Sequence, residues 1–185
     1  DGLETLDPSR DTARLTFSNA PATPLGGAGE GMALLEQVMD RAAVLLAFEQ
    51  TGGADRALEM AKDYALERYA FGRTIASYQA IKHKLADMYV KNELARSNAY
   101  YGAWALNTSA PELPVAASAA RIAASEAYWF ASKENIQTHG GIGFTWAVDC
   151  HLHYRRSRQL SLTAGAPRLW KERLVSHLER RNTAA

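Results

Sequence analysis

Cys150 is the only cysteine in the chain, so no internal disulfide can form, which agrees with a reducing compartment. No apolar run approaches the length of a membrane span. A large excess of either charge is missing too: the formal net charge is +1, which argues against a dedicated nucleic-acid surface, and the arginine excess toward the C-terminus reads as a solvated or interfacial face. The first residues, Asp-Gly-Leu-Glu-Thr, have neither the positive charge nor the apolar core of a signal peptide, so a cytoplasmic location is expected. Internal repeats and low-complexity tracts are absent. What is present is ordinary for a globular chain: 185 residues, 47% hydrophobic and 22% charged, enough for one domain with a sizeable core.

Prolines and glycines gather at few places, and those places mark boundaries. Ala13-Arg-Leu-Thr-Phe-Ser alternates small or apolar with polar side chains, and Pro21, Pro24, Gly26 and Gly27 follow, so residues 1 to about 29 read as one strand and a linker. One strand is unstable alone, and this segment is expected either to need a sheet from elsewhere or to be poorly ordered. From Gly31 to about Tyr69 the pattern is helical, with Leu35, Val38, Ala42, Leu45, Leu46, Ala57, Leu58, Ala61 and Ala65 expected on the apolar side. Gly52-Gly53 is expected to kink this helix without breaking it. A second helix is expected after Ser77 as N-cap, with Tyr78, Ile81, Leu85, Met88 and Leu94 or Ala95 inward and Lys82, Lys84, Lys91 and Glu93 in water. Pro111 and Pro114 mark the next turn, and Pro114 suits the first turn of a helix from about Val115 to His139. Its alanines, Ala116, Ala117, Ala119, Ala120, Ala123, Ala124 and Ala127, allow close approach of neighbouring axes. Gly140-Gly141 ends it, a shorter helix spans about Ala147 to Leu160, and Pro167 opens a last one with Leu169, Trp170, Leu174 and Leu178 on one side. Four to five antiparallel helices with short connections predict an all-α fold, a four-helix bundle over residues 30–185.

The chain is organised around Glu67 to Met88. Alone, Arg68-x-x-Phe71-Gly72 reads as a helix exit with a basic last turn and a glycine at C′. Tyr78-Gln79-Ala80-Ile81 and Leu85-Ala86-Asp87-Met88 follow it, and Gln137-Thr-His-Gly140-Gly141-Ile-Gly143-Phe144 stands further on. Together these blocks resemble the C-terminal domain of the acyl-CoA dehydrogenases, including that family's Gln-x-x-Gly-Gly-x-Gly-Phe signature. The resemblance covers roughly residues 30 to 180. It implies that family's C-terminal four-helix bundle, with residues 1–29 as the end of its middle β-domain. It also implies the family's chemistry: an acyl-CoA lies against the flavin of FAD, a carboxylate removes a proton beside the thioester carbonyl, and a hydride leaves the next carbon for the flavin, giving a trans-2-enoyl-CoA. An electron-transfer flavoprotein or similar acceptor then reoxidises the flavin. In the family, the arginine and phenylalanine of one block and the glutamine and glycines of the other reach across a subunit interface to the neighbour's FAD. Arg68, Phe71, Gln137, Gly140 and Gly141 match those positions. A guanidinium pairs with phosphate oxygens, glycine lets a backbone come close, and a primary amide both donates and accepts. Gly140-Gly141 also reads as a plain helix C-cap, and His139 stands where the family often has an apolar residue.

No catalytic residue and no metal ligand is assigned. Most members place the base in a Tyr-Glu-Gly-Thr-x-Gln segment, where this chain reads Leu162-Thr163-Ala164-Gly165-Ala166-Pro167-Arg168, so the glutamate position is Ala164. A smaller group carries it on the long first helix, at the position of Ala42. Asp40, Glu36 and Glu49 are the carboxylates that would have to replace it, each needing a rotation or slide of the helix. Asp149 reads as a cap or an arginine partner, His151 and His153 point to different faces and make no zinc pair, and Cys150 reads as a packed thiol. The run Arg155-Arg156-Ser157-Arg158 reads as a salt-bridged helix face, with phosphate binding as the other possibility. Residues that reach into a neighbour's site are thus kept while those of the chain's own site are gone. This pattern predicts the partner chain of a hetero-oligomer, a heterotetramer in which a second acyl-CoA dehydrogenase subunit supplies the glutamate and most FAD contacts. Gly143-Phe-Thr-Trp and His151-Leu-x-Tyr are similar to chains of bacterial steroid side-chain degradation, which points to a bulky acyl-CoA. The alternatives are a homotetramer with a displaced base, a scaffold bundle that binds neither flavin nor CoA, and an acyl-CoA oxidase relative.

Overall fold

Small side chains decide how closely the helices pack. A computed structural model describes residues 1–183. Its long elements are α1 (Gly31–Glu67), α2 (Gln79–Asn107), α3 (Leu113–His139), α4 (Cys150–Leu162) and α5 (Pro167–Thr183). The short strands β1 (Gly2–Leu3) and β2 (Thr12–Ala13) pair antiparallel, as do β3 (Tyr69–Ala70) and β4 (Arg73–Thr74) between α1 and α2. Helix α3 is central and packs against all four of the other helices. One core cluster joins Ala47, Ala95, Ala99, Ala120, Ala124 and Ala127, and another joins Ala54, Ala57, Ala61 and Ala131 with Met88, Tyr128 and Leu160. Methyl groups facing methyl groups leave little room between axes, and at Gly102 an added Cβ would lie 3.2 Å from Val44. No helix among the described residues is long and apolar enough to cross a membrane.

The all-α bundle is the architecture expected, and its details differ in instructive ways. In the first half of α1 the inward face is Ala43, Val44 and Ala47, while Leu35, Val38 and Leu45 point outward. In α2 it is Ala95 rather than Leu94 that is buried, and Lys84 is half-covered and paired with Glu134 of α3 at 2.9 Å. Ser77 is not the N-cap: Tyr78 holds that place, and Ser77 closes a 3₁₀ turn by donating to Thr74 O at 2.7 Å. Pro114 does sit in the first turn of α3, which starts at Leu113, and α4 starts at Cys150, later than its apolar pattern alone implies. Helix α1 runs through Gly52-Gly53 without interruption. The two glycines have different reasons: space beside Gly52 is open, whereas a Cβ on Gly53 would stand 2.4 Å from Cζ of Tyr128.

The N-terminal segment is not a single strand over Ala13–Ser18, because Leu15 and Phe17 are exposed and unpaired. Its anchor is ionic. Asp7 is buried, accepts from Ser9 N at 3.0 Å and pairs with Arg156 of α4, while Arg10 and Arg156 both meet Glu49 of α1. Burial pushes the Asp7 carboxyl up, but the hydrogen bonds from Ser9 and Arg156 outweigh it, and the group ends below its ordinary value. A depressed carboxyl contributes stability above its unfolded pKa that is lost as pH falls through its folded pKa. Residues 4–10 should therefore lose amide-exchange protection on acidification below about pH 4, before the helices do, and Asp7→Asn should show that loss at neutral pH. In chemical denaturation, Gly52→Ala should stabilise the chain by about 0.5–1 kcal/mol, whereas Gly53→Ala should cost about 1–3 kcal/mol through its clash with Tyr128.

Candidate functional site

Helix α1 stops because Arg68 leaves helical geometry (φ −76°, ψ 125°), its N–H still donating to Tyr64 O at 2.8 Å. The chain then reverses in a two-residue hairpin turn, Phe71 at φ 51° and Gly72 at φ 81°, the doubly left-handed geometry that matches strand twist. Glycine takes this without cost; Phe71 takes it with some strain and holds its ring 98% exposed. Tyr78 fixes the hairpin by donating to Ala70 O at 2.9 Å, with Arg73 over its ring at 4.0 Å. Arg68 is exposed and makes no side-chain hydrogen bond or ion pair among the described residues.

His139, given no role by its sequence, joins this end of α1 to the end of α3. Its ring stacks on Tyr64 with centroids 4.2 Å apart and donates to Asn135 O at 2.9 Å. Gly140 then caps α3 at φ 65°, and nothing lies within 4 Å of the place a Cβ would occupy on Gly140 or Gly141. The two glycines serve both as a helix cap and as bare backbone. Gly143 is glycine for another reason, since a Cβ there would meet Ile136 O at 2.6 Å. Gln137 is exposed, has no side-chain hydrogen bond among the described residues, and lines a groove of about 350 Å³ with Lys133, Phe144, Tyr154 and Arg155. Arg68, Phe71, Gln137, Gly140 and Gly141 thus come to one end of the bundle as uncommitted donors and open backbone. This chemistry fits a diphosphate and a nucleoside presented from outside the chain.

Ala42 and Ala164, the two positions where a base was sought, lie elsewhere, on either side of Trp170. The indole clusters with Ala43 and Val44, next to Ala42, and donates to Ala164 O at 3.2 Å. Ala164 is left-handed at φ 55° and Gly165 follows at φ 105°. Arg121 holds this turn from below: 1% exposed, it donates to Thr163 O at 2.7 Å, to Leu160 O, to Gln50 Oε1 and to Ser125 at 3.1 Å. Burial lowers this guanidinium to about 10, so it stays charged at neutral pH, balanced by neutral oxygens alone. The nearby carboxylates are engaged. Asp40 is buried against Arg173 at 2.7 Å, its pKa raised by burial in spite of that arginine, and Glu49 belongs to the Arg10–Arg156 network. Glu36 stays exposed on α1.

The arrangement is a helical bundle with exposed polar side chains and bare glycine backbone at one end. The chain belongs to the acyl-CoA dehydrogenase family: residues 29–176 match the family described as acyl-CoA dehydrogenase, C-terminal domain. Acyl-CoA dehydrogenase IpdE2 of Mycobacterium tuberculosis is 39% identical over 177 residues, 95% of this chain and 51% of that protein. A solved variant of the Tcur3481-Tcur3483 steroid ACAD superposes on 100% of this chain and 49% of that one, with a TM-score of 0.86 at 30% identity. A solved FAD-dependent dehydrogenase superposes with a TM-score of 0.80 at 27% identity, over 83% of this chain and 41% of its own. The chain therefore spans about half the length, or less, of these relatives.

Sequence reasoning missed Arg121, although a lone arginine inside an alanine-rich helix is a visible signal. It also treated Arg155, Arg156 and Arg158 as one face: Arg156 is the ion-paired one, while Arg155 and Arg158 lean over Trp146 and Trp129. Arg121→Met should lower unfolding free energy by about 3 kcal/mol or more, because buried oxygens are left without donors, and Arg121→Lys should restore part of it.

Proposed function

We propose that this chain is a subunit of an FAD-dependent acyl-CoA dehydrogenase that converts an acyl-CoA to the trans-2-enoyl-CoA, and that it lacks the base for a site of its own. One observation carries the reading. Ala42 lies within one uninterrupted helix and Arg68 caps its C-terminal end, which at about 1.5 Å of rise per residue holds them roughly 40 Å apart. That is farther than one dinucleotide reaches, so the donors at the Arg68 end and the turn at the Ala164 end belong to two different sites. FAD, when bound, supplies hydride acceptance. This chain's own part would be to clamp the diphosphate with Arg68, to meet the adenosine with Phe71 and Gln137, and to let it approach the bare backbone at Gly140-Gly141. A second subunit would bring the glutamate and the remaining flavin contacts in a heterotetramer, and residues 1–29 would continue a β-domain ahead of the bundle at 30–185. An electron-transfer flavoprotein or similar protein would accept the electrons.

The likeness to a solved steroid ACAD supports a bulky acyl-CoA such as a steroid side-chain thioester. A displaced base is disfavoured because Asp40 and Glu49 are tied to arginines. The complex purified with its partner should contain half as many flavins as polypeptides. Arg68→Ala and Gln137→Ala should each release FAD, read by absorbance after gel filtration, while Asp40→Asn should lower stability and leave flavin content unchanged. One flavin per polypeptide, or full retention in both donor variants, contradicts the reading.

A further inference from the structure

Resting on the proposed assembly only for its partner, we propose that the cleft beside the Tyr64–His139 stack receives an arginine side chain of the second subunit. The cleft holds about 360 Å³ between the last turns of α1 and the residues that lead into α4, and Asp63, Glu67 and Asp149 line it against a single cation, Arg56. Arg56 has its own acid, Glu59, at 3.1 Å, and Asp63 has Lys62 at 3.3 Å. Glu67 and Asp149 are exposed and have no ion-pair partner among the described residues. Asp149 stands at the N-cap of α4 without making the cap hydrogen bond, so the arginine partner that its sequence setting also suggests is left to be supplied from outside.

A buried imidazole makes this cleft more than a cluster of acids. His139 is 8% exposed and is fixed on two sides: one ring face lies on Tyr64 with centroids 4.2 Å apart, and Nδ1 meets Asn135 O at 2.9 Å. A carbonyl oxygen only accepts, so Nδ1 carries the proton of the neutral ring and Nε2 is a bare acceptor. Nε2 has no partner among the described residues, and the ring lines the cleft. An acceptor held in place without a donor gives up free energy that a ligand's N–H recovers. The occupant therefore carries positive charge and several N–H groups. A guanidinium does both: its fork matches a carboxylate, a further N–H reaches Nε2, and its face suits the Tyr64 ring. No group of His, Cys, Asp and Glu among the described residues is arranged to hold a metal ion, which sets a divalent cation aside. Tyr64 O also accepts from Arg68 N at 2.8 Å, so the cleft lies one turn from the side chain that the proposed function turns toward the other subunit, and that subunit is the polypeptide in reach.

The test is titration of the isotope-labelled full chain with N-acetyl-arginine amide, with N-acetyl-glutamine amide and magnesium chloride as comparisons, followed by NMR. The arginine probe is expected to shift His139 Nε2 together with Glu67 and Asp149. Asp149→Asn combined with Glu67→Gln should weaken it about fivefold or more, and so should His139→Phe, which keeps a ring on Tyr64 but has no acceptor. The same acid double variant should weaken association with the partner subunit about tenfold. Equal shifts from the glutamine probe or from magnesium, shifts outside the cleft, or undiminished probe and partner affinity in the variants would each overturn the proposal. Failure of the two readings is separable. Flavin lost in Arg68→Ala with the cleft indifferent to the arginine probe leaves the flavin reading standing and overturns this one. Probe bound in the cleft and partner association weakened in the acid variant, with flavin kept in Arg68→Ala, does the reverse.

Discussion

Contact between alanines sets the distance between helices, and everything at the two ends of the bundle is positioned by it. Where Ala47, Ala54, Ala57 and Ala61 of α1 meet the alanines of α2 and α3, the axes have no bulk to separate them and no gap to rearrange into. Only at that spacing does Tyr128 reach across to Gly53, and only then does Arg121 reach both Gln50 on α1 and the carbonyls at the end of α4. A larger residue anywhere along this seam would move the turn at Ala164 and the glycines at Gly140 together.

The same seam explains what could and could not be read from the sequence. Helix number, order, the proline at the start of α3 and the glycine stop after it were legible, because capping and turn residues act locally. The inward phase of α1 was not. Leucine and valine at Leu35, Val38 and Leu45 carry the strongest periodic signal, yet the core takes Ala43, Val44 and Ala47, which fit the close spacing. Large apolar side chains left outside, with Phe48 and Tyr100 packed edge to face beside them, make a surface on which another subunit of the proposed assembly would pack. Short-range ion pairs were equally hidden: the Asp7–Arg156 bridge joins residues that no spacing rule connects.

The candidate site residues could be named from the sequence as types and not as a place. The motifs identified Arg68 and Gln137, but the stacking of Tyr64 on His139 that brings their helix ends together depends on packing. That both positions where the resemblance places a base are alanine, Ala42 and Ala164, was legible at once. What the fold adds is separation, for one uninterrupted helix stands between Arg68 at its end and Ala42. It also engages Asp40, the nearest spare carboxylate, with Arg173.

Arg68 is proposed to serve a cofactor held mainly by another polypeptide. The most direct measurement is a structure of the chain with its partner and FAD. The account predicts the Arg68 guanidinium within about 2.7–2.9 Å of diphosphate oxygens of an FAD whose ring lies beside the partner's glutamate. An FAD bound wholly within one polypeptide, with Arg68 turned to solvent, would contradict it.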